Sequence, residues 1–240
     1  MSLEYRDIEI IRFGTYLQAM AQEIKKTRSG ERSRLRLLSA GARLLEAEHY
    51  RDLLVQKICQ EAGVAKGTFY IYYQTKDIFL RELAQRYVNF EFQTYPRFPS
   101  KNTRYENTRR WIFWYEKTFA ANAGIFRCMV QMGEQDREMR EIWHDRNGRL
   151  AERSLSGWMR THPDADPDLQ RWVLRSSGLM LDQSLFERYG VQAGPGLGAP
   201  KDEDFLIDLH ALLNFRVIYG RDPPADEIPA DSPVRGLVVG

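Results

Sequence analysis

Cysteine is nearly absent: Cys59 and Cys128 are the only two in 240 residues. Neither sits in a C-x-x-C or metal-finger spacing, so a disulfide scaffold and a zinc ribbon are excluded. A reduced compartment suits such a chain, and the expected location is cytoplasmic. Histidine is scarce too. His49, His144, His162 and His210 are scattered and form no short-spaced metal pair. No metal and no cofactor are expected. The chain has no G-x-S-x-G, no phosphate-binding G-x-x-x-x-G-K and no H-E-x-x-H. "GPGLG" (194–198) follows no strand, so it reads as a connector, and His144–Asp145 reads as a solvated or capped helical pair. An enzyme is therefore not expected. Long apolar runs are missing as well: nothing approaches the roughly 20 residues of a membrane span. Glu4, Arg6, Asp7, Glu9 and Arg12 break up any secretory leader.

Strand signals are also few, and what remains is helical spacing. With 43% hydrophobic and 12% aromatic residues the chain has material for a real core. Ile10, Phe13, Leu17, Met20 and Ile24 step by three and four, which predicts a helix over 3–26 with one narrow apolar stripe. That stripe serves either to dock the helix on its own protein or to meet a second subunit; docking is the commoner use. A basic joint, "KKTRSGER" (25–32), follows. Leu35, Leu38, Ala42 and Leu45 mark a helix over 31–47, and Asp52 is a candidate cap for a short one carrying Val55, Ile58, Cys59 and Ala62. A very short helix runs from Lys66 to about Tyr72. Thr75 caps a longer one over 76–93, which Pro96 and Pro99 end. Thr103 and Glu106 form a capping-box pair before a helix that carries Trp111, Trp114, Tyr115 and Phe119, and further helices are predicted at about 123–134, 136–160, 167–189 and 202–219. "GVQAGPGLGAP" (190–200) separates the last two, and four prolines in 221–240 predict a loosely packed tail.

Charge is unevenly spread. The net charge is only +2, yet residues 25–87 hold 13 Lys/Arg against 7 Asp/Glu. A polyanion partner would select such an excess, and a solvated basic face is the alternative. Inside this segment "CQEAGVAKGTFY" (59–70) has the order of a helix-turn-helix: Ala62 is small where helices cross, Gly63 turns and Val64 plugs the core. The second helix of such a unit enters the DNA major groove by its N-terminal residues. Gly67 would let the backbone approach, while Lys66 would reach a phosphate or a guanine edge. Thr68 would meet phosphate or a thymine methyl, and the hydroxyls of Tyr70 and Tyr72 would donate to phosphate. Lys76 opens a helix whose N-terminus favours phosphate, and Lys57 joins this set. Phe69 is expected inside.

"VQKICQEAGVAKGTFYIYYQTKDIFL" resembles the DNA-binding motif of the tetracycline-repressor (TetR) family of transcriptional regulators, at Ile58, Ala62, Gly63, Val64, Gly67, Thr68, Tyr70 and Lys76. The likeness covers residues 31–80. Departures are Cys59 for the usual Ala, Ala65 for Ser, Leu54 for a capping Thr or Ser, and Tyr73 for Phe. Ala65 deprives the short helix of a side-chain cap. Cys59 is either a small core residue, the commoner role, or a redox-sensing thiol.

The resemblance implies an all-α fold: an N-terminal extension (1–30), a helix-turn-helix domain with connecting helix (31–93), a helical regulatory and dimerisation domain (100–220) and the Pro-rich tail (221–240). It implies a repressor that binds a palindromic double-stranded DNA operator as a homodimer and is released by a small-molecule effector. The last two helices would form the dimer's four-helix bundle, with Trp172, Leu179, Leu185, Phe205, Leu209 and Leu212 as its apolar positions. Candidates for an effector pocket are Trp111, Trp114, Tyr115, Phe119, Met129, Met132, Trp143 and Trp158, with Phe126 beside them. Their aromatic and thioether character suits a hydrophobic or planar ligand, while the plainer alternative for each is core packing. Arg109, Arg110, Glu116 and Gln131 are candidates for polar specificity. A helix-turn-helix protein controlled by protein partners is the competing reading, kept open by the stripe on 10–24.

Overall fold

The computed structural model describes Tyr5 and residues 7–24, 29–190 and 203–238. Of the expected joint (25–32) residues 25–28 lie outside them and 29–32 are helical, and of the expected connector (190–200) residues 191–200 lie outside them. The described residues form α-helices and no strand. The helices are α1 (Phe13–Glu23), α2 (Ser29–Ala47), α3 (Val55–Ala62), α4 (Lys66–Tyr72), α5 (Lys76–Gln93), α6 (Arg104–Ala121), α7 (Ala123–Gly133), α8 (Arg137–Met159), α9 (Pro167–Tyr189) and α10 (Glu203–Tyr219). No helix among the described residues is long and apolar enough to cross a membrane. Two compact units are present. One gathers Ile10–Thr94 and Thr118–His144; the other gathers Met1–Glu9, Tyr95–Lys117 and Asp145–Gly240.

The first unit is built around α2, which touches α1, α3, α4, α5 and α7. Its buried stripe includes Leu35, Leu38, Ala42 and Leu45, as the spacing predicts. The N-terminal helix starts ten residues later than expected. Arg12 is extended at φ −75, ψ 126. Asn122 explains the delay. Its Oδ1 accepts from the Phe13 N–H at 2.7 Å and its amide donates to the Ile11 carbonyl at 3.2 Å. One side chain thus replaces the first helical bonds of α1. Phe13 and Leu17 are buried, with the Phe13 ring 5.4 Å from Tyr87 and 5.2 Å from Phe90. The N-terminal stripe is therefore used inside the protomer, on α2 and α5.

The start of α7 presses on the end of α2. A Cβ at Gly124 would stand 2.3 Å from the Leu45 carbonyl oxygen, so only glycine permits this approach. Arg127 then donates to the Leu45 and Glu46 carbonyls at 2.7 and 3.1 Å, satisfying acceptors that the end of α2 leaves open.

In the second unit, Thr103 and Glu106 form the expected reciprocal cap at 3.1 and 2.6 Å. Asp166 caps α9 by accepting from the Asp168 N–H at 2.8 Å, with Pro167 following as the first helical residue. Arg109 of α6 and Asp208 of α10 form a buried ion pair at 2.8 Å. Ser232 donates to the same Asp208. This corrects the expectation of a loose tail: Ile228 and Val234 are buried, and Arg216 donates to the Leu237 carbonyl at 2.6 Å. The prolines shape this segment into turns that pack on α10, because the tail supplies apolar side chains and a hydroxyl to a buried charge.

Candidate nucleic-acid interface and internal cavity

The helix-turn-helix is assembled by backbone geometry and one aromatic plug. Gly63 adopts φ 62, ψ 44, a left-handed conformation that side chains avoid. The Val64 N–H closes the turn by donating to the Cys59 carbonyl at 3.0 Å. The start of α3 corrects the sequence reading. Leu54, not Asp52, holds the cap position, with no side-chain bond. Asp52 instead closes a turn, its N–H donating to His49 at 3.0 Å, while the following Leu53 is fully buried and sets where the helix begins. α4 begins from Ala65, again without a side-chain cap. Phe69 is completely buried. Its ring lies 5.3 Å from Tyr73 and 5.4 Å from Phe79. The Arg34 Nε donates to the Tyr73 hydroxyl at 3.3 Å and Arg34 also pairs with Glu82, so burial of this ring is anchored at its polar end.

With Phe69 inside, the helical period fixes what faces out. Lys66 and Gly67 are exposed, Thr68 and Tyr72 half-buried. A Cβ at Gly67 would meet nothing within 4 Å, so the space before it is open. Tyr70 is 50% exposed and Ile71 is 76% exposed. Ile71 was not among the sequence candidates. It lies two residues from Phe69, about 200° round the helix, and that spacing was signal enough. A β-branched apolar side chain so exposed at the centre of the outer face is suited to a thymine methyl. Two lysines have partners already. Lys76 Nζ donates to the Tyr50 and Arg51 carbonyls at 2.8 and 3.0 Å, and Lys57 pairs with Glu48 at 2.8 Å. Lys66 has no ion pair among the described residues.

The second unit holds a cavity of about 640 Å³, lined from α6, α8, α9 and α10. Trp111, Tyr115 and Trp158 line it, with Trp111 stacked on Tyr115 at 5.0 Å. The other candidates are elsewhere. Trp114 is fully buried beside Tyr95, 5.0 Å between rings. Phe119, Met129, Met132 and Trp143 belong to the α2-centred unit. There Phe119 stacks on Phe126 at 4.3 Å, and Trp143 meets Phe126 edge-on at 6.2 Å. The division between the units falls within α6 and α8, and helical spacing does not reveal that. The polar candidates are also committed: Arg109 to Asp208, Arg110 to Asp7 and the Arg97 carbonyl, and Glu116 to Tyr189. Gln131 lies in the α2-centred unit. The lining residues missed include Tyr95, Arg104, Arg146, Arg153 and Asp182.

On α9 and α10 the dimer candidates divide. Trp172 is 67% and Leu179 53% exposed, Phe205 and Leu209 are half-buried, and Leu185 and Leu212 are fully buried. The last two support their helices from within, so they offer a partner no surface. Exposed neighbours they do not account for are Leu169, Met180, Leu213 and Val217.

Residues 37–83 match the family model described as "Bacterial regulatory proteins, tetR family". A curated relative, the HTH-type transcriptional regulator EthR of Mycobacterium tuberculosis, is 28% identical over 118 residues, 48% of this chain and 55% of the relative. EthR of Mycobacterium bovis matches over the same extent. The chain thus spans about half the length of these relatives. Among solved structures, a tetR-family transcriptional regulator from Streptomyces coelicolor superposes with a TM-score of 0.59 at 14% identity, covering 86% of this chain and 94% of that one. The transcriptional regulator FadR from Bacillus subtilis, in complex with stearoyl-CoA, gives 0.55 at 16% identity, covering 78% and 98%. At such identities these two likenesses speak for the fold. Residues 37–83, which build the helix-turn-helix, thus form a domain of the tetR family of bacterial regulatory proteins.

Proposed function

We propose that the protein is a ligand-responsive repressor that binds a palindromic operator as a homodimer and releases it when a small ligand enters the cavity of the second unit. The observation that carries this reading is the outer face of α4: Lys66, Tyr70 and Ile71 are exposed around an unobstructed Gly67, on a helix fixed from behind by Phe69. A face of this kind has no task inside the protomer. One seven-residue helix makes few contacts, and two half-sites related by a two-fold axis multiply them.

The dimer surface of this proposal is the exposed face of α9 and α10, with Leu169, Trp172, Leu179 and Met180 on the first helix and Leu213 and Val217 on the second. Large apolar side chains gathered on one face mark an association site. The cavity, lined by Trp111, Tyr115 and Trp158, is of the size that small effectors occupy. That the fold neighbour FadR was solved with stearoyl-CoA supports an effector site in this architecture. A ligand with greater affinity for a conformation unable to span both half-sites would lower operator affinity by that difference.

Sedimentation and DNA titration together test the reading. The wild type is expected to sediment as a dimer and to bind duplex DNA with an affinity that falls steeply with salt. The double variant Trp172→Glu/Met180→Glu is expected to sediment as a folded monomer and to bind at least about tenfold more weakly. A wild-type monomer that binds as tightly as any dimer would remove the proposed arrangement.

A further inference from the structure

The cavity of the second unit is unusual in its charge. Five arginines line it, Arg104, Arg146, Arg153, Arg160 and Arg175, against one carboxylate, Asp182. The chain as a whole is nearly balanced, with 35 Lys/Arg and 33 Asp/Glu. Elsewhere Arg34, Arg43, Arg81, Arg109, Arg110 and Arg216 each hold a carboxylate. Around the cavity four of the five do not. Asp182 accepts from the Tyr115 hydroxyl, and the buried Arg146 donates to that same hydroxyl at 3.0 Å and to Asn147 at 2.8 Å. Arg104, Arg153, Arg160 and Arg175 have no ion pair among the described residues.

Two of these four lie over aromatic rings: the Arg153 guanidinium carbon is 4.0 Å from the centroid of Tyr95, and that of Arg104 is 5.7 Å from the centroid of Tyr219. A cation held against a ring face keeps its N–H groups for a planar or tetrahedral oxyanion. The rest of the lining is largely apolar and aromatic, with Trp111, Leu150, Trp158, Leu174 and Ile218. Three polar atoms of lining residues, Asn107 Oδ1, Trp111 Nε1 and Trp158 Nε1, are buried with no hydrogen-bond partner. The two indole N–H groups are donors of the kind an oxyanion accepts from.

We propose that the effector is an amphipathic anion, with an aliphatic or aromatic body against the tryptophans and a carboxylate or phosphate head taken by Arg104, Arg153, Arg160 and Arg175. This rests on the regulator reading above and adds the ligand's charge to it. A neutral or cationic ligand of the same body would gain no charge-assisted bond from these arginines.

The test is a head-group series on one tail, followed by calorimetry and by the fluorescence of Trp111 and Trp158. The probes are dodecyl phosphate, dodecanoate, 1-dodecanol and dodecyltrimethylammonium, each below its micellar concentration, with inorganic phosphate as the head alone. The anions are expected to bind at least about tenfold more tightly than the alcohol, and the ammonium not at all. The order of phosphate and carboxylate then identifies the head. Arg153→Gln and Arg104→Gln are expected to weaken the anions several-fold each and to leave the alcohol's affinity unchanged. The inference is overturned if the alcohol or the ammonium binds as tightly as the anions, if no amphiphile binds the folded protein, or if the two substitutions change nothing. DNA binding by the ligand-free protein is measured in parallel. DNA binding without anion preference overturns this inference alone; anion preference without DNA binding overturns the regulator reading instead.

Discussion

The outer face of α4 and the cavity of the second unit both present unpaired cations beside aromatic rings, but they are built on different scales. The first consists of seven consecutive residues on a helix whose start, turn and plug lie within a few positions of it. The second draws on four helices, α6, α8, α9 and α10. A surface made by one helix inherits its geometry from local rules. A cavity made by four inherits it from packing, which no local pattern encodes.

The largest effect is expected at the plug. Phe69 is completely buried among Tyr73, Phe79 and neighbouring residues. Phe69→Ala is predicted to cost about 3–5 kcal/mol in urea denaturation and to abolish DNA binding. If denaturation shows no loss, α4 is not held as described.

Next comes the exposed counterpart on the same helix. Ile71→Ala is predicted to leave stability within about 0.5 kcal/mol, since the side chain is 76% exposed. Operator affinity is predicted to fall by about 1–2 kcal/mol, at thymine positions only. Replacing single operator thymines with uracil, which lacks the methyl group, should weaken the wild type and spare the variant at the same position. Equal uracil effects on both proteins would place Ile71 away from the bases.

A smaller gain is expected at Ala65, which opens α4 without a side-chain cap. Ala65→Ser should raise the denaturation midpoint by the equivalent of about 0.5–1 kcal/mol. A loss there would mean that α4 does not begin from Ala65.

The thiols should show the smallest effect near neutral pH. Burial pushes the Cys128 thiol from the ordinary 9.0 up to about 12. It also raises Cys59, with Lys66 pulling partly the other way. Both are expected to resist alkylation in the native protein at pH 8 and to react once it unfolds. The folded state holds the Cys128 proton more tightly than the unfolded chain does. Its contribution to stability is therefore complete below about pH 9 and is lost as the pH climbs toward 12. Rapid native alkylation of Cys59 would reinstate a redox-sensing role.

Legibility in the sequence followed the same division of scale. Caps and stops are local, so Thr75, Thr103 with Glu106, and Gly63 were readable before any fold was known. All three stand where expected. The buried Phe69 was readable from period and hydrophobicity. Ile71 follows from Phe69 by the same period, although an apolar side chain on a helix more often lies in the core. What failed needed a partner from far along the chain. Asn122 delays α1 from 109 positions away, and Ser232 folds the tail back onto Asp208. Lys76 reaches carbonyls 25 and 26 positions earlier. Trp111, Tyr115 and Trp158 line the cavity, and other pocket candidates lie away from it for a related reason. Phe119 and Trp143 share helices with cavity residues, but lie on the stretches of α6 and α8 that belong to the α2-centred unit. The arginines around the cavity were invisible because residues 88–240 carry 20 Lys/Arg against 22 Asp/Glu, and only folding sorts them.

The central claim is that the exposed face of α4 reads a specific duplex. It is tested most directly by selecting bound sequences from a random double-stranded pool with the purified, ligand-free protein. The account predicts a palindrome whose half-sites lie roughly one helical turn, about 34–36 Å, or a multiple of it apart. It also predicts that the same selection with Ile71→Ala returns that palindrome with relaxed thymine positions. Recovery of no motif from protein that is folded would contradict it.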